Sequence, residues 1–253
     1  IRVEPQPATA ADRTDYFGNR SYHFSIQQPH SILDVTAESE IEMFAQRQSL
    51  SLDFGATCAD ARAMLTTTIN DENTSAREFL LDSPMVAASA EYAQSSFADE
   101  RPFLSCVRDL TARIYRDFTY DPRSTEITTP LKEVLQFRRG VCQDFAHLAI
   151  GCLRSLGFPA RYVSGYLETS PPAGAQRLQG ADESHAWFAA YSPAEGWADF
   201  DPTNNLMAME RHITTAWGRD YSDVTPLKGS IIGGGGHTLQ ISVDVQRLNR
   251  STL

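Results

Sequence analysis

The stretch Arg138-Arg139-Gly140-Val141-Cys142-Gln143-Asp144-Phe145-Ala146-His147 constrains this chain more than any other. A Gly-containing turn runs into apolar residues at Phe145, Leu148, Ala149, Cys152, Leu153 and Leu156, the spacing of one buried helix face. Gly157 and Pro159 supply the stop signals. The pattern predicts a helix whose first turn carries Cys142 and whose apolar face must be covered by other elements. Unpaired backbone N–H groups and the positive end of the helix dipole stabilise negative charge on a sulfur placed there, the setting of a nucleophile.

The 253 residues suffice for one large domain, or a compact domain with a smaller one attached. A hydrophobic share of 42% and a charged share of 21% are those of an ordinary globular protein. The formal net charge of −10 argues against nucleic acid or an anionic membrane as partner, and no apolar run approaches the length of a membrane span. Cys58, Cys106, Cys142 and Cys152 lie far apart without CxxC spacing, so neither a metal site nor a disulfide framework is expected. Free thiols point to a cytoplasmic protein, and no cofactor is implied. The opening Ile1-Arg2-Val3-Glu4-Pro5 reads as the end of a strand, and a segment upstream of it is expected.

Along the chain, residues 1–45 read as an N-terminal β region with strands at 21–26 and 32–43 and a turn at 15–20. Residues 46–100 read as a helical connection with short helices at 56–68 and 84–95. A core over 101–205 follows, with helices at 103–118 and 131–137 and the Cys142 helix. It continues with strands at 160–168, 185–191 and 197–201 and a Pro/Gly/Ala loop at 171–180. Residues 206–253 complete the chain, with 206–228 irregular, a glycine loop at 233–236 and a last strand at 238–245, packing on the core or the β region. Helices first and antiparallel strands after make an α+β fold.

A thiol nucleophile needs a base in reach and a third group to orient that base. His147 lies five residues beyond Cys142, and at roughly 100° per residue its side chain points about 140° away. It is expected to be a packing histidine. His185 opens a strand in which His185, Trp187, Ala189 and Tyr191 share one face and Phe188 the other. The next strand runs antiparallel to it and brings a carboxylate to that height. Asp199 and Asp201 share the required parity, and spacing does not separate them.

Three motifs in order, Gly140-Val141-Cys142-Gln143-Asp144-Phe145-Ala146-His147, Ser184-His185-Ala186-Trp187 and Trp197 followed by Asp201-Pro202-Thr203, resemble the transglutaminase-like superfamily. The likeness is strongest to its bacterial cysteine-protease-like members. It extends to Asp15-Tyr16-Phe17-Gly18-Asn19 and to residues 219–224, Pro226 and Gly229, and is weak only over 46–100. The resemblance implies a papain-like core in which the cysteine helix packs on an antiparallel sheet. It implies Cys142 as nucleophile, His185 as general base and acid and Asp201, rather than Asp199, as the orienting carboxylate. It further implies acyl transfer through a thioester, with the Cys142 N–H as one oxyanion donor and Tyr120, Gln136 and Trp187 as oxyanion or cleft candidates. The expected partner is a peptide, a protein or an amide-containing small molecule. Hydrolysis is the first reading. Amide-forming or crosslinking transfer and a non-catalytic binding module are the alternatives, and no acidic calcium-loop pattern is present. Cys106 and Cys152, on apolar helix faces, are expected to be buried and inert.

Overall fold

The computed structural model describes residues 1–43, 52–87, 91–169, 182–233 and 235–248. The chain forms two compact units, Ile1–Gln48 and Ser49–Leu253.

In the first unit, β1 (Arg2–Glu4) pairs antiparallel with β4 (Asp34–Thr36), and β2 (Thr9–Thr14) pairs with β3 (Arg20–Ser25). The turn between β2 and β3 is closed by Asp15, whose carboxylate accepts from the Phe17 and Asn19 backbone N–H groups and from the Asn19 side chain. Gly18 takes φ +88° there, a conformation that favours glycine. The expected strand over 32–43 shrinks to β4, because its partner β1 is three residues long and Pro5 has no N–H to extend the ladder.

The second unit opens with α1 (Cys58–Thr67), capped by Thr57, whose hydroxyl accepts from the Asp60 N–H. The helix α2 (Asp71–Arg77) was not predicted, although its start carries a plain signal: Asn70 caps the Asn73 N–H, and Asp71 and Glu72 fill the first turn. The helix expected over 84–95 is absent among the described residues. Instead Ser83 and Val86 close a tight turn through paired backbone bonds of 3.0 and 3.1 Å, and a single 3-10 turn covers Gln94–Ser96. Helices α3 (Phe103–Asp117), α4 (Leu131–Phe137) and α5 (Cys142–Ser155) fall where periodicity placed them. The short strands β5 (Thr119–Tyr120) and β6 (Arg139–Gly140) pair in parallel just ahead of α5.

A five-stranded antiparallel sheet follows, built from β7 (Ala160–Leu167), β8 (Glu183–Ser192), β9 (Gly196–Asp201), β10 (Leu206–Met207) and β11 (His212–Gly218). Its strand order is β10-β9-β8-β7-β11. The last two strands lie in a stretch expected to be irregular. Conversely, the strand expected over 238–245 reduces to a single bridge between Val243 and Asp182, with Leu239 and Ile241 exposed. The loop expected at 171–180 and Gly234 lie outside the described residues.

Alternation along the strands divides the side chains between two clusters. Ala186, Phe188, Ala198, Phe200 and Tyr162 join the main core with Phe103, Leu110 and Ile114 of α3 and Phe145, Leu148 and Leu153 of α5. Trp187, Ala189 and Val163 pack on the other side with Trp197 and Trp217. Helix α5 departs from the one-faced helix that its periodicity predicts: every residue from Asp144 to Arg154 is buried. The sheet covers one side, and the chain around Val86 covers the other so closely that a Cβ on Gly151 would lie 2.8 Å from the Ala87 carbonyl oxygen. Its polar residues are satisfied in place. His147 accepts the Tyr221 N–H, and the Arg154 guanidinium donates to the Ala160 and Arg219 carbonyls and to Ser83.

Gly165, in the middle of β7, has no room for a side chain. A Cβ would stand 2.5 Å from Trp187 Cη2 and would strike the Ile213 carbonyl of β11. Gly165→Ala should therefore lower the unfolding free energy by about 1–3 kcal/mol, the usual cost of overpacking. Urea denaturation should show a lower midpoint at unchanged slope; an unchanged midpoint would mean that Trp187 and β11 can move aside.

Candidate active site

Cys142 is the first residue of α5 and is half-buried, whereas Cys58, Cys106 and Cys152 are buried. All four are free, and burial pushes the Cys152 thiol up to about 12. The start of α5 is held by Asp144, whose carboxylate folds back to accept the Val141 N–H at 2.8 Å and the Thr125 hydroxyl at 2.7 Å. Gly140 makes this possible, because a Cβ there would sit 2.8 Å from the same carboxylate oxygen. The Gly-Val-Cys-x-Asp run is thus a local device: a residue without a side chain, a turn, and an acid that ties the turn to the helix. Burial raises the Asp144 pKa, with the two hydrogen bonds opposing the shift.

The arginine before this turn is also built in. Arg138 ends α4 in the left-handed conformation, φ 54°, and its guanidinium lies 5.0 Å from the Tyr92 ring centre and 4.8 Å from that of Phe118.

His185, near the start of β8, is buried. Its Nε2 lies 2.8 Å from Asp201 Oδ2, and the Cys142 side chain is near enough to act on the ring. With Nε2 taken by the carboxylate, Nδ1 is the nitrogen left for sulfur. Burial disfavours the imidazolium, but the hydrogen bonds to Asp201 and Cys142 and their charge outweigh it, and the ring is pushed up to about 10.

Asp201 is fully buried at the end of β9. Its Oδ1 accepts the Thr203 and Asn204 backbone N–H groups at 2.9 and 3.2 Å, a turn of its own making after Pro202. Its Oδ2 accepts from Asn204 Nδ2 at 2.7 Å, His185 Nε2 at 2.8 Å and His212 Nε2 at 3.0 Å. Burial opposes ionisation, and these donors overcome it and hold the carboxyl well below the usual range.

The register of β8 and β9 separates the two aspartates that spacing left open. Asp199 stands opposite Ala189, and its carboxylate accepts from Trp187, two residues nearer the start of β8, at 3.3 Å. One diagonal step further along the same pair of strands, Asp201 meets His185. Each carboxylate serves a different ring.

The remaining sequence candidates fall differently. Tyr120 is exposed and pairs across the short parallel ladder with Gly140, two residues before Cys142. Gln136 is exposed on α4. Trp187 is buried, with its indole N–H turned to Asp199, so it forms a wall behind His185 (ring centres 6.1 Å apart) rather than a donor toward an oxyanion. His147 is the packing histidine expected, tilted against Tyr162 and depressed to about 4 by burial.

Two members of the cluster were missed. Asn204 follows the Asp-Pro-Thr motif directly. His212 opens β11, in a stretch read as irregular although Ile213, Thr214, Thr215 and Trp217 are strand formers closed by Gly218. His212, His185 and Asp201 bring three ligand-type atoms within 4.8 Å of one another. The chemistry of the set favours hydrogen bonding over metal binding. His212 Nδ1 accepts the Met209 N–H at 3.4 Å, so Nε2 carries the proton that Asp201 receives and has no lone pair for a cation.

Comparison with known proteins agrees with this architecture. Residues 90–202 match the transglutaminase-like superfamily, and residues 1–42 match the bacterial transglutaminase-like N-terminal region. An uncharacterized protein of Mycobacterium tuberculosis is 40% identical over 97% of this chain and 80% of its own length. A protein-glutamine gamma-glutamyltransferase of Pseudomonas aeruginosa is 31% identical over 110 residues, 40% of this chain and 16% of that enzyme. A candidate cysteine protease from Cytophaga hutchinsonii shares the fold, with a TM-score of 0.58 at 23% identity over 88% of this chain and 71% of that one. The α5 cysteine helix, the antiparallel sheet and the N-terminal strands are those of one family, and the chain belongs to the transglutaminase-like superfamily.

Proposed function

We propose that the protein is a cysteine-dependent acyl-transfer enzyme that cleaves an amide or peptide bond, with Cys142 as nucleophile, His185 as general acid and base, and Asp201 as the orienting carboxylate. The observation that carries this reading is the buried His185–Asp201 pair, 2.8 Å apart, set beside a half-buried cysteine at the first residue of α5 that acts on the His185 ring.

In the first half-reaction the Cys142 sulfur attacks the carbonyl carbon and the C–N bond breaks. The departing nitrogen takes the proton from His185, and a thioester remains. In the second half-reaction His185 draws a proton from water, whose oxygen attacks the thioester; the acid is released, the C–S bond breaks, and the sulfur and the protonated His185 return to their starting state. The backbone N–H of Cys142, one of the donors at a helix start that lack an intrahelical acceptor, suits the oxyanion, with Tyr120 the neighbouring side-chain candidate. The substrate class that fits is a peptide, a protein or an amide-containing small molecule. Amine transfer in place of hydrolysis is the second reading, favoured by the similarity to the Pseudomonas aeruginosa gamma-glutamyltransferase over 110 residues.

Casein incubated with and without a fluorescent primary amine separates the two by product mass: new peptide termini or deamidated glutamine for water, an amine adduct for transfer. Cys142→Ala should reduce either activity by several orders of magnitude, as loss of a nucleophile does. Activity that survives in that variant, or selective thiol labelling that avoids Cys142, would overturn the assignment and leave a binding module.

The proton on His185 sets the alkaline limit. A ring held protonated to about 10 can donate to the leaving amine below that pH, and activity should fall as pH rises through it. Asp201→Asn removes a raising partner, so the alkaline limb of the kcat/KM profile should move down toward the ordinary histidine range near 6.5. A wild-type limb already at that value would contradict the charged pair.

A further inference from the structure

Two histidines meet one oxygen of the triad carboxylate. Beyond His185, Asp201 Oδ2 is held at 3.0 Å by Nε2 of His212, whose side chain is buried. His212 belongs to β11, at the sheet edge opposite β10 and three strands away from β9. In a flat sheet three strand steps amount to roughly 14 Å, more than one aspartate and one histidine can bridge through a hydrogen bond. The sheet must therefore curl here, and the chain from Asp201 to His212 carries out that return in eleven residues.

Everything around His212 fixes its ring. Met209 donates its N–H to Nδ1 at 3.4 Å, and the His212 N–H bonds back to the Met209 carbonyl at 2.8 Å. The Trp187 ring meets it edge-on, centres 5.1 Å apart, and His185 lies 6.0 Å away. Gly165 keeps the floor between β8 and β11 clear, since a Cβ there would run into Trp187. This effort serves one donated proton. With Nδ1 turned to the Met209 N–H, the Nε2 side of the ring faces Asp201. The titratable members of the cluster are Cys142, His185, Asp201 and His212.

Building on the triad proposed above, we propose that His212 is a positioning residue, which clamps the Asp201 carboxylate in the orientation that holds the His185 ring toward Cys142. Without the clamp, Oδ2 retains Asn204 and His185 as donors and loses the one that ties the carboxylate to β11. The His185 ring then loses a fixed partner, and the Cys142 sulfur loses a fixed ring.

The test needs no natural substrate. In His212→Leu the N–H is gone at similar bulk, whereas His212→Gln keeps an N–H that can reach Asp201 and a carbonyl for Met209. Alkylation of Cys142 by iodoacetamide, followed by intact mass across pH, should be about tenfold slower at pH 7 in His212→Leu, the scale of one lost charge-assisted hydrogen bond. His212→Gln should recover most of the loss. The proton resonance of the His185–Asp201 hydrogen bond, assigned through its absence in Asp201→Asn, should shift or broaden in His212→Leu and return in His212→Gln. Circular dichroism and thermal melting report whether each variant is folded. If His212→Leu melts below the assay temperature, the comparison of wild type with the glutamine variant decides: a His212→Gln resonance and alkylation rate that match Asp201→Asn rather than wild type refute the clamp. Alkylation rates and resonance unchanged in a folded His212→Leu also refute it. Thiol labelling that avoids Cys142 would overturn the enzymatic reading, whereas selective Cys142 labelling at a rate that ignores His212 would overturn the clamp alone.

Discussion

The site depends on one buried negative charge. The Asp201 carboxylate accepts five hydrogen bonds, from the Thr203 and Asn204 backbone, the Asn204 side chain, His185 and His212. A carboxylate taken out of water costs several kcal/mol unless its lone pairs are met, and removing one partner of a buried ion pair typically costs about 3–5 kcal/mol. These donors come from β8, from β11 and from the turn after β9. The charge thereby fixes the relative placement of three parts of the sheet as well as the tilt of the His185 ring.

The thiol is placed by a different strategy. Helix α5 is buried from Asp144 to Arg154, so its axis is set by packing on every side and its N-terminus emerges at a fixed point. Asp144 then joins that end to the turn before it, and the bare Cα of Gly140 gives its carboxylate room. The same helix carries His147 and Arg154 into the interior, each with partners from the 219–221 segment. Rigid scaffolding of this kind suits a nucleophile, because small misplacements of reacting groups are costly.

The far side of the sheet is aromatic. Trp187 packs against both histidines and sends its N–H to Asp199, while Arg161 lies 4.3 Å from the Trp197 ring centre and 4.7 Å from that of Trp217. Two diagonal pairs, Trp187 with Asp199 and His185 with Asp201, repeat along one pair of strands. Both aspartates therefore have a purpose, which parity along the strand could not tell apart.

Local rules made much of this legible. The helix α5 and its stops, the helices α3 and α4, the strands β7 to β9 and the hairpin turn at Asp15 follow from periodicity and turn chemistry, which act over a few residues. Those rules also excluded His147, since helix geometry alone turns it away from Cys142. They failed where formation depends on a distant partner. The stretch 238–245 alternates like a strand but has a single bridge to Asp182, and 32–43 pairs only as far as the three residues of β1 allow. They failed in the opposite direction at β11, a strand because β7 offers it an edge, and at α5, whose second buried side is covered by the chain around Val86. The amino-acid order by itself determined the cysteine helix, the histidine strand and the pair of candidate acids. Only the tertiary structure decided which acid meets His185 and brought His212 to it, because strand register and the curl of the sheet are set by packing between residues far apart in the chain.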